Sequence, residues 1–589
     1  MQTIFAKNGE ETVEPVEAQV KGSIPSWLQG TLLRNGPGLF SVGDTEYNHW
    51  FDGMSLIHSF TFEKGQVTYR SKFLKSETYK RNIKADRLVV TEFGTMIYPD
   101  PCKNIFSRVF THLCNIIPDF TDNNLINIIR YGQDYYASSE INYINQIDPA
   151  TLETVGRLNY RNHIALNLAT AHPHYDSEGN TYNMGTAIMS FGGPKFVIFK
   201  VPADASDPDN KKPALRKCQQ ICSIPFRSAL YPSYYHSFGM TENYIVFVEQ
   251  PYKLDMVKLA TAYFRGISWG KCLRFDKDDI TLFHVINRKT GKEVSTRFYG
   301  DALVVFHHIN AYEEDDHVVF DLISYKDGSM YDMFYIENMR QDTDKFIQYN
   351  KSFGSSLCQR FVLPLNVHRE TPRGSNLVTL TNTTAQAVMQ EDGSVYCKPD
   401  DLFEALELPC INYKFNARKY RYFYGSKVEW SPHKVKHLSH PQHLQMYDCA
   451  ESTESVHHFG PKILDGLSRN SHGVVGKPNR PKWRPDQPTP DLCLNSLSSI
   501  QQIAKFDLVT RKHVEWSEEN CFPSEPVFVA SPGAVEEDDG VILSSIISPE
   551  ANISPFMLVL DAKTFKEIAR ANIPTSVHMD LHGHFIPAV

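Results

Sequence analysis

The sequence lacks the features that mark secreted, membrane-spanning and nucleic-acid-binding proteins. No apolar run reaches the roughly 18 residues that a membrane-spanning helix needs. The first twenty residues, MQTIFAKNGEETVEPVEAQV, have no apolar core of a secretory signal, and their four glutamates are atypical of a mitochondrial transit peptide. The formal net charge is −8, and no stripe of Lys and Arg suggests a nucleic-acid partner. We therefore expect a cytoplasmic protein that does not bind nucleic acid.

Repeated cysteine pairs are missing too, and long amphipathic helical patterns are scarce. The 11 cysteines are an odd number without a repeated CxxC, which fits reduced thiols in the cytosol. What recurs is short strand-like runs with turn residues close to many of them. They are Leu88–Val90, Phe196–Phe199, Tyr244–Val248, His317–Phe320, Gly540–Leu543 and Met557–Leu560. This pattern predicts an all-β chain, either a large barrel or a propeller, forming one domain over residues 1–589.

Residues 433–500 differ in composition from the rest of the chain. They hold seven of the 23 histidines, many serines and the segment KPNRPKWRPDQPTP. One interpretation is a His-rich metal-binding tract. The histidines have no regular ligand spacing, however, and Pro and Ser interrupt them. The composition therefore favours a polar, flexible insertion within the domain.

Four other segments place histidines in apolar or aromatic surroundings near Gly or Pro. They are LNLATAHPHYD, YPSYYHSFGM, VVFHHINAYEEDD and HMDLHGHFIPAV. Each histidine taken singly also fits a hydrogen-bonded core residue. Taken together, the intervals of 64, 71 and 275 residues along His172, His236, His307 and His582 fit a radial fold in which separate blades supply one imidazole each.

The adjacent histidines of VVFHHINAYEEDD raise a question of their own. The flanking apolar residues predict a buried strand, and successive side chains on a strand point to opposite faces. His307 and His308 therefore cannot easily serve the same centre. The local pattern alone does not decide between them.

Four neutral imidazoles would suit a borderline divalent metal such as Fe(II), Cu or Zn. The ion would keep its full charge because no carboxylate ligand neutralises it. A metal-bound histidine also needs its second ring nitrogen held, often by a carboxylate. Glu140, Glu407 and Glu525 lie in apolar contexts where an unpartnered carboxylate is costly, although each also fits a surface glutamate.

Several long motifs resemble those of the carotenoid cleavage oxygenases and follow one another in the order of that family. They are GTLLRNGPG, NHWFDGM, EFGTMIYPDPCKNIF, ATAHPHYD, SYYHSFGMTENYIVFVEQP, FHHINAYEE, SEPVFV and EEDDGVILS. The resemblance covers the chain except for about residues 433–500. It implies a seven-bladed β-propeller with a helical and loop cap over the metal face.

The resemblance also implies a site. Its motifs place Fe(2+) on the propeller axis, held by His172, His236, His307 and His582 as the metal-binding and catalytic residues. The matching carboxylates Glu140, Glu407 and Glu525 are expected to orient His236, His307 and His582. The first histidine of the adjacent pair matches the family ligand, so His307 rather than His308 is expected to bind iron.

Within the family, three local features resemble the branch that cleaves β-carotene at its central 15,15′ double bond to give two retinal molecules. They are Leu168, Tyr235 and the ending HMDLHG. The resemblance thus implies a carotenoid substrate, O2 as co-substrate and no obligate protein partner. The alternatives are eccentric 9′,10′ cleavage, isomerohydrolysis of retinyl esters and, from another class, a metal-free binding scaffold. Ile141 departs from the family, which mostly has threonine there.

Two further sets of residues match functional positions. Tyr234 and Tyr325 match tunnel-lining positions, where their rings would stabilise an electron-poor polyene, and they equally fit strand packing. The segment after Cys102 carries a helical apolar stripe that predicts peripheral membrane contact, with a cap helix packed on the propeller as the alternative. The stripe consists of Ile105, Phe106, Val109, Phe110 and Leu113, and Cys102 is a candidate for acylation.

Overall fold

The computed structural model describes residues 5–97, 121–188, 192–205, 212–340, 355–368, 370–430 and 499–588. Strands dominate it, and the burial of their side chains follows their position. Along Gln66–Phe73 the side chains alternate between buried and more exposed, as on a strand with one face toward solvent. Along His317–Tyr325 nearly every side chain is buried, because both faces of this strand pack against protein.

The strands are numbered in chain order. The N-terminal ones are β1 (Thr12–Glu17), β2 (Gln19–Gly22), β3 (Gly30–Leu39), β4 (Ser41–Val42), β5 (Thr45–Glu46), β6 (Met54–Glu63) and β7 (Gln66–Phe73). Next come β8 (Asn127–Tyr131), β9 (Asp134–Ser138), β10 (Tyr143–Ile147), β11 (Thr154–Asn159), β12 (Leu168–Ala169), β13 (His174–Tyr175), β14 (Thr181–Ala187), β15 (Lys195–Val201) and β16 (Gln219–Pro225).

The middle of the chain forms β17 (Gly239–Met240), β18 (Tyr244–Glu249), β19 (Tyr252–Leu254), β20 (Leu273–Phe275), β21 (Thr281–Asn287), β22 (Phe298–Gly300), β23 (Val304–Glu314), β24 (His317–Tyr325), β25 (Leu357–Pro364), β26 (Gln386–Met389), β27 (Val395–Lys398) and β28 (Asp400–Glu404). The last strands are β29 (Leu406–Cys410), β30 (Tyr422–Trp430), β31 (Ser499–Asp507), β32 (Lys512–Trp516), β33 (Phe522–Pro523), β34 (Val527–Ala530), β35 (Gly540–Ile547), β36 (Phe556–Asp561), β37 (Glu567–Asn572) and β38 (His582–Pro587).

Seven sheets of four to six strands follow one another along the chain and form a seven-bladed β-propeller, which confirms the predicted fold class. In spatial order, sheet I is β1-β7-β6-β3-β38, sheet II is β11-β10-β9-β8, and sheet III is β14-β15-β16 with β12 and β13 on the free edge of β14. Sheet IV is β17-β18-β21-β22-β27-β26, sheet V is β23-β24-β25-β28, and sheet VI is β29-β30-β31-β32. Sheet VII is β2-β37-β36-β35, with β33 and β34 on β35.

Both ends of the described chain close the ring. The C-terminal β38 pairs with β3, from Gly30 opposite Pro587 to Asn35 opposite His582. The N-terminal β2 pairs with β37 in the last sheet. The first and last sheets are also joined near the N-terminus, since β1 pairs with β7 in sheet I and the adjacent β2 pairs with β37 in sheet VII.

The hydrophobic core is divided among the seven gaps between neighbouring sheets. One cluster joins sheets VII and I through Phe60, Tyr69 and Leu543, and another joins sheets III and IV through Phe196 and Phe247. Comparable clusters fill the remaining five gaps. Each sheet thus buries both faces against its neighbours, and the ring is continuous.

Helices and connecting segments make up the rest of the described structure, and a few of their residues, such as Leu215, join the clusters between the sheets. The α-helices are α1 (Glu77–Ala85), α2 (Arg161–Ile164), α3 (Met256–Arg265) and α4 (Ile336–Met339). Short 3₁₀ turns occupy Trp50–Asp52, Ala203–Ala205, Ala214–Lys217, Gly270–Cys272, Ser329–Phe334 and Tyr413–Phe415. Among the described residues, no helix combines the length and apolarity required to cross a bilayer.

One predicted strand is wrong. Leu88–Val90 is an irregular segment, although its composition is that of a strand. The Leu88 and Val89 backbone N–H groups donate to the side chains of Thr45 and Asn82, so no neighbouring strand is needed to satisfy them. Leu88 is buried against Val42, Tyr47 and Met54 instead.

The polar stretch 433–500 falls between two neighbouring strands. β30 and β31 pair without interruption up to Trp430 opposite Ser499. Residues 431–498 lie outside the described part of the chain. Their interpretation as an insertion within a single domain stays a prediction.

Candidate metal centre

Each of the seven blades contributes one predicted site residue to a common centre, from a strand or from a segment beside one; Glu140 follows β9, and His236 precedes β17. These residues are His582 from sheet I, Glu140 from II, His172 from III, His236 from IV, His307 from V, Glu407 from VI and Glu525 from VII. Four sheets supply an imidazole and three supply a carboxylate. The intervals that suggested a radial arrangement in the sequence therefore correspond to separate blades.

The edge strands are interrupted or bulged where these residues lie. His172 sits in the break between β12 and β13, which both pair with β14. Glu525 sits in the equivalent break between β33 and β34, which both pair with β35. On β23 the register shifts between Val305 and His308, where an extra residue turns His307 inward. Irregularities of this kind are common beside functional sites because they redirect a side chain.

The four imidazoles converge within metal-binding distance. One ligand nitrogen from each of His172, His236, His307 and His582 can be chosen so that all lie within 4.8 Å of one another. The Nε2 atom of His236 lies 2.9 Å from Nε2 of His172 and 3.2 Å from Nε2 of His307. Adjacent ligands at about 2.1 Å from a metal ion would be about 3.0 Å apart at right angles. The donor set and its spacing therefore fit one divalent ion of the kind that imidazole binds.

Three of the imidazoles turn their other nitrogen toward a glutamate. The Nδ1 atom of His236 lies 2.5 Å from Glu140 Oε1. The Nδ1 atom of His307 lies 2.6 Å from Glu407 Oε2, and that of His582 lies 2.7 Å from Glu525 Oε1. A carboxylate at Nδ1 favours the tautomer with the proton on Nδ1, which leaves the Nε2 lone pair for a metal. These are the three pairs that the family motifs implied.

The structure separates the two adjacent histidines as the strand argument required. His307 points to the centre. His308 points away from it, and its Nδ1 lies 3.0 Å from Ser237 Oγ. The same Ser237 hydroxyl accepts a hydrogen bond from the His308 backbone N–H at 3.0 Å. Ser237 thus holds His308 on the face of β23 that points away from the metal centre.

Burial and charge set the protonation states around the centre. Burial, together with the other three imidazoles, holds the pKa of His172 well below its usual value, so the ring is neutral and able to bind a metal. Burial alone would raise the pKa values of Glu407 and Glu525, but their histidine partners lower both below the usual value. Both glutamates are therefore anionic near neutral pH.

Arg34 forms a buried network behind His582 that sequence reasoning missed. Its guanidinium donates to Glu525 Oε2 at 2.6 Å, to Asp580 Oδ1 at 2.7 Å and to the Leu581 carbonyl at 2.9 Å. Arg34 is only 1% exposed. It therefore fixes both the carboxylate that holds His582 and the two residues before His582. The sequence signal was a single arginine inside the apolar motif GTLLRNGPG.

A mostly apolar cavity of about 230 Å³ adjoins the centre. His236, Glu140 and Tyr234 belong to its wall. The Tyr234 hydroxyl lies 2.8 Å from Glu140 Oε2 and 2.8 Å from the Tyr331 hydroxyl. Tyr331 also lines the cavity and was not predicted; its only sequence signal is its place among the aromatics after β24.

Leu168 and Tyr235, which resembled one branch of the family, and Ile141, which departs from the family, line the wall. Of the two tyrosines predicted to line a tunnel, only Tyr234 does so among the described residues. Tyr325 is not among the described residues of that wall. Its hydroxyl donates to Glu407 Oε1 at 2.6 Å, and its ring packs on Phe306 with centroids 5.5 Å apart. The predicted membrane stripe lies outside the described residues, namely Cys102, Ile105, Phe106, Val109, Phe110 and Leu113.

Comparison with known proteins agrees with this geometry. The family described as Retinal pigment epithelial membrane protein (RPE65) matches residues 5–478 and 467–587, which together span nearly the whole chain. The chain belongs to the RPE65/carotenoid oxygenase family. The two matched segments meet within the polar stretch 433–500. The family resemblance of the sequence motifs is thereby confirmed.

Relatives within the family are similar over their full length. The β,β-carotene 15,15′-dioxygenase of Gallus gallus is 50% identical over 587 residues, covering 100% of this chain and 98% of that protein. The mitochondrial carotenoid-cleaving dioxygenase of Mustela putorius furo is 40% identical over 585 residues, covering 98% of this chain and 95% of that protein. Cobalt-substituted Synechocystis apocarotenoid oxygenase (ACO) is similar in structure, with a TM-score of 0.67 at 21% identity, covering 100% of this chain and 98% of that chain. This last similarity supports the fold alone.

Proposed function

We propose that the protein is a non-haem Fe(II) dioxygenase that cleaves the central 15,15′ double bond of β-carotene with O2 to give two molecules of retinal. The observation that carries the proposal is the cluster of four imidazoles, three of them held by glutamates, beside a mostly apolar cavity. One oxygen atom enters each aldehyde, so the reaction balances as one C40 polyene and one O2 giving two C20 products.

The cavity favours an apolar substrate, because most of its lining is apolar. Leu168, Leu254, Leu259, Trp269 and Leu273 supply apolar wall. Binding there would remove the polyene from water and place one bond beside His236. Position within the cavity, rather than acid–base chemistry, would then select the bond that is cleaved.

The protein's own groups prepare the centre. Four neutral imidazoles would hold Fe(II), which when bound supplies the redox chemistry that lets O2 react with an alkene. Glu140, Glu407 and Glu525 fix the orientations of three imidazole rings. Their negative charges, placed behind these rings, would also balance the charge of the ion. Because none of these glutamates is needed as a ligand, positions around the ion stay free for O2.

Tyr234 is positioned to stabilise positive charge on the polyene. Its ring lies in the cavity wall, and its hydroxyl donates to Glu140. A phenol that donates to a carboxylate has a more electron-rich ring, which strengthens its attraction for a cation. Tyr325 would act differently, by holding Glu407 and through it His307.

Central cleavage is favoured over eccentric cleavage by the relatives. The relatives named β,β-carotene 15,15′-dioxygenase reach 50% identity, against 40% for those named carotenoid-cleaving dioxygenase. Leu168 and Tyr235, which suggested this branch, both line the cavity. The metal-free scaffold required dispersed histidines, whereas the four imidazoles cluster. A cytosolic location with peripheral membrane contact through the 105–113 stripe belongs to the same proposal, because the substrate dissolves in membranes rather than in water.

The test is anaerobic purification with iron quantitation, followed by incubation with β-carotene in micelles and chromatography of the products. We expect about one iron per chain and retinal as the only product, at two per substrate. His307→Ala should lose both iron and activity, because it removes one of four ligands. His308→Ala is the matched control one residue away, and it should keep the iron.

The opposite outcomes are equally specific. A 10′-apocarotenal product would move the protein to eccentric cleavage. Equal iron loss in the His307 and His308 variants would show that the choice of ligand is wrong. A wild-type chain that binds no iron and cleaves no carotenoid would overturn the proposed function as a whole.

A further inference from the structure

Two short segments carry the neighbouring imidazoles of His236 and His307. The first is residues 233–237, which precede β17 in sheet IV, and the second is residues 305–308 at the register shift of β23 in sheet V. The Nε2 atoms of the two imidazoles lie 3.2 Å apart. Among the described residues, no backbone hydrogen bond joins the two segments. Side chains, rather than strand pairing, must therefore set the distance between these two imidazoles.

Gln250 forms the first connection between the segments. It follows β18 in sheet IV and is only 1% exposed. Its Nε2 atom donates to the Tyr234 carbonyl at 2.9 Å and to the Val305 carbonyl at 3.1 Å, and its Oε1 atom accepts from the Val305 N–H at 2.5 Å. The amide thus pairs with both backbone groups of Val305, as a residue of a neighbouring strand would. With the same group it holds the backbone two residues before His236.

Ser237 forms the second connection, on the other side of the two imidazoles. Its hydroxyl donates to the Phe306 carbonyl at 2.6 Å and accepts from the His308 N–H at 3.0 Å. Gln250 therefore holds β23 just before the register shift, and Ser237 holds it within and just after the shift. Regular strand pairing is disrupted at such a bulge, so its geometry depends on partners of this kind.

Loss of the Gln250 amide would leave buried backbone groups without these partners. Val305 is 3% exposed, and its N–H and carbonyl both bond to that amide. A buried backbone group that loses its partner is costly, so the chain around it shifts to recover a hydrogen bond. His307 lies two residues further along the same bulge. We expect such a shift to move its imidazole relative to that of His236.

We propose that Gln250 is a positioning residue of the metal centre and that, together with Ser237, it fixes the separation of His236 and His307. The inference rests on the proposed function, because it assumes that both imidazoles bind the same ion. Its action differs from that of the three glutamates. Each glutamate orients one imidazole through Nδ1, whereas Gln250 acts on the backbone of two ligand-bearing segments at once.

The test compares wild type with Gln250→Met and Ser237→Ala, with Co(II) as the probe ion because it belongs to the divalent series that imidazole sites bind. Methionine has nearly the length and volume of glutamine, so the substitution removes the hydrogen bonds and keeps the packing. One readout is the dissociation constant of Co(II), measured by competition with a chelator. The other is the visible absorption spectrum at saturating Co(II), which depends on how the ligands are arranged around the ion.

Both readouts should change in the variants. Gln250→Met should bind Co(II) about tenfold more weakly, at the lower end of what loss of a group that orients a ligand costs. Its spectrum should differ from that of wild type even when every site is filled. Ser237→Ala should change both readouts in the same direction. A purely structural role would lower the stability of the fold and leave the spectrum of the filled site unchanged.

Asn310 supplies a matched control on the same strand, β23. It is also 1% exposed, and its amide also makes three hydrogen bonds to backbone groups. It donates to the carbonyls of Phe415 and Arg418 and accepts from the Ala417 N–H. None of these three partners belongs to a segment that carries an imidazole of the centre. Asn310→Leu should therefore keep the affinity for Co(II) within about twofold and leave the spectrum unchanged.

The double variant tests whether the two connections act on the same separation. Residues in one hydrogen-bond network have coupled effects. Each single variant keeps one connection, so Gln250→Met combined with Ser237→Ala should lose more affinity than the product of the two single losses. Losses that simply multiply would show that the two residues act independently, and this would overturn their joint role.

The remaining outcomes separate this inference from the proposed function. If Gln250→Met has the wild-type affinity and spectrum, or if Asn310→Leu changes both equally, Gln250 is only structural and the inference is overturned. If Gln250→Met does not fold, Ser237→Ala decides, and an unchanged spectrum overturns the inference. Variants that differ as expected in a protein that cleaves no carotenoid would support the role of Gln250 and contradict the proposed function. A wild type that binds no divalent ion would overturn both.

Discussion

Replacing Arg34 should weaken metal binding strongly while lowering the stability of the fold only slightly. In Arg34→Met, the guanidinium is lost while Glu525 and Asp580 stay buried without their counter-ion. Breaking a buried ion pair in this way costs about 3–5 kcal/mol of unfolding free energy. The unfolding entropy of about 2.1 cal/mol/K per residue, applied to the 589-residue chain, gives about 1.2 kcal/mol/K. The melting temperature should therefore fall by only about 2–4 °C if the chain unfolds as one unit.

The loss of metal affinity in Arg34→Met should be larger than this small change in melting temperature suggests. Arg34 holds Glu525, and Glu525 holds His582, so the substitution releases one of the four ligands. Loss of a group that orients a ligand typically weakens metal binding about 10–100-fold. We expect that loss for Arg34→Met in a competition titration against a chelator of known affinity, alongside a calorimetric melting curve.

Arg360→Met is the control. Arg360 is also buried, at 5% exposed, and makes two hydrogen bonds of 2.8 Å to Asp321 in sheet V. Among the described residues, Arg360 makes no hydrogen bond to any of the seven site residues. Its loss should therefore lower the melting temperature similarly and leave metal affinity within about twofold. The reasoning is refuted if both variants weaken metal binding equally, or if Arg34→Met binds metal as tightly as wild type.

The remaining predictions concern pH and metal removal. Burial opposes protonation of His284, but its hydrogen bonds to Glu249 and Glu293 raise its pKa to about 9. His284 should therefore stabilise the fold fully below pH 6.5, and this contribution to the unfolding free energy, up to about 3 kcal/mol, should be lost as pH rises through 9. Chemical denaturation at several pH values should show this loss in wild type and not in His284→Gln. Removing the ion with a chelator should lower the melting temperature reversibly, because an ion at 100 times its dissociation constant stabilises the folded state by about 2.7 kcal/mol. An unchanged melting curve after removal of the ion would contradict a metal site formed by the fold.

Different parts of the molecule could be predicted from different kinds of information. Strand runs and turns indicated an all-β chain, but they did not distinguish a barrel from a propeller. The number of blades came from the family resemblance. Leu88–Val90 shows the limit of local composition, because side chains of Thr45 and Asn82 satisfy backbone groups that a strand would otherwise pair.

The candidate site shows the same division. The residues His172, His236, His307 and His582 were visible because each stood in a long motif, and the alternation of strand side chains explained why only one of two adjacent histidines reaches the centre. Arg34 and Tyr331 were missed because their roles depend on contacts between distant parts of the chain. Arg34 and Glu525, for example, are separated by 491 positions, and no local pattern joins them.

The distribution of the site over seven sheets has a mechanical consequence. Each ligand or orienting carboxylate belongs to a different sheet, and each sheet is held on both sides by a separate hydrophobic cluster. A closely packed ring transmits strain instead of absorbing it, so the imidazole spacing is fixed by the whole propeller rather than by the segments around each histidine.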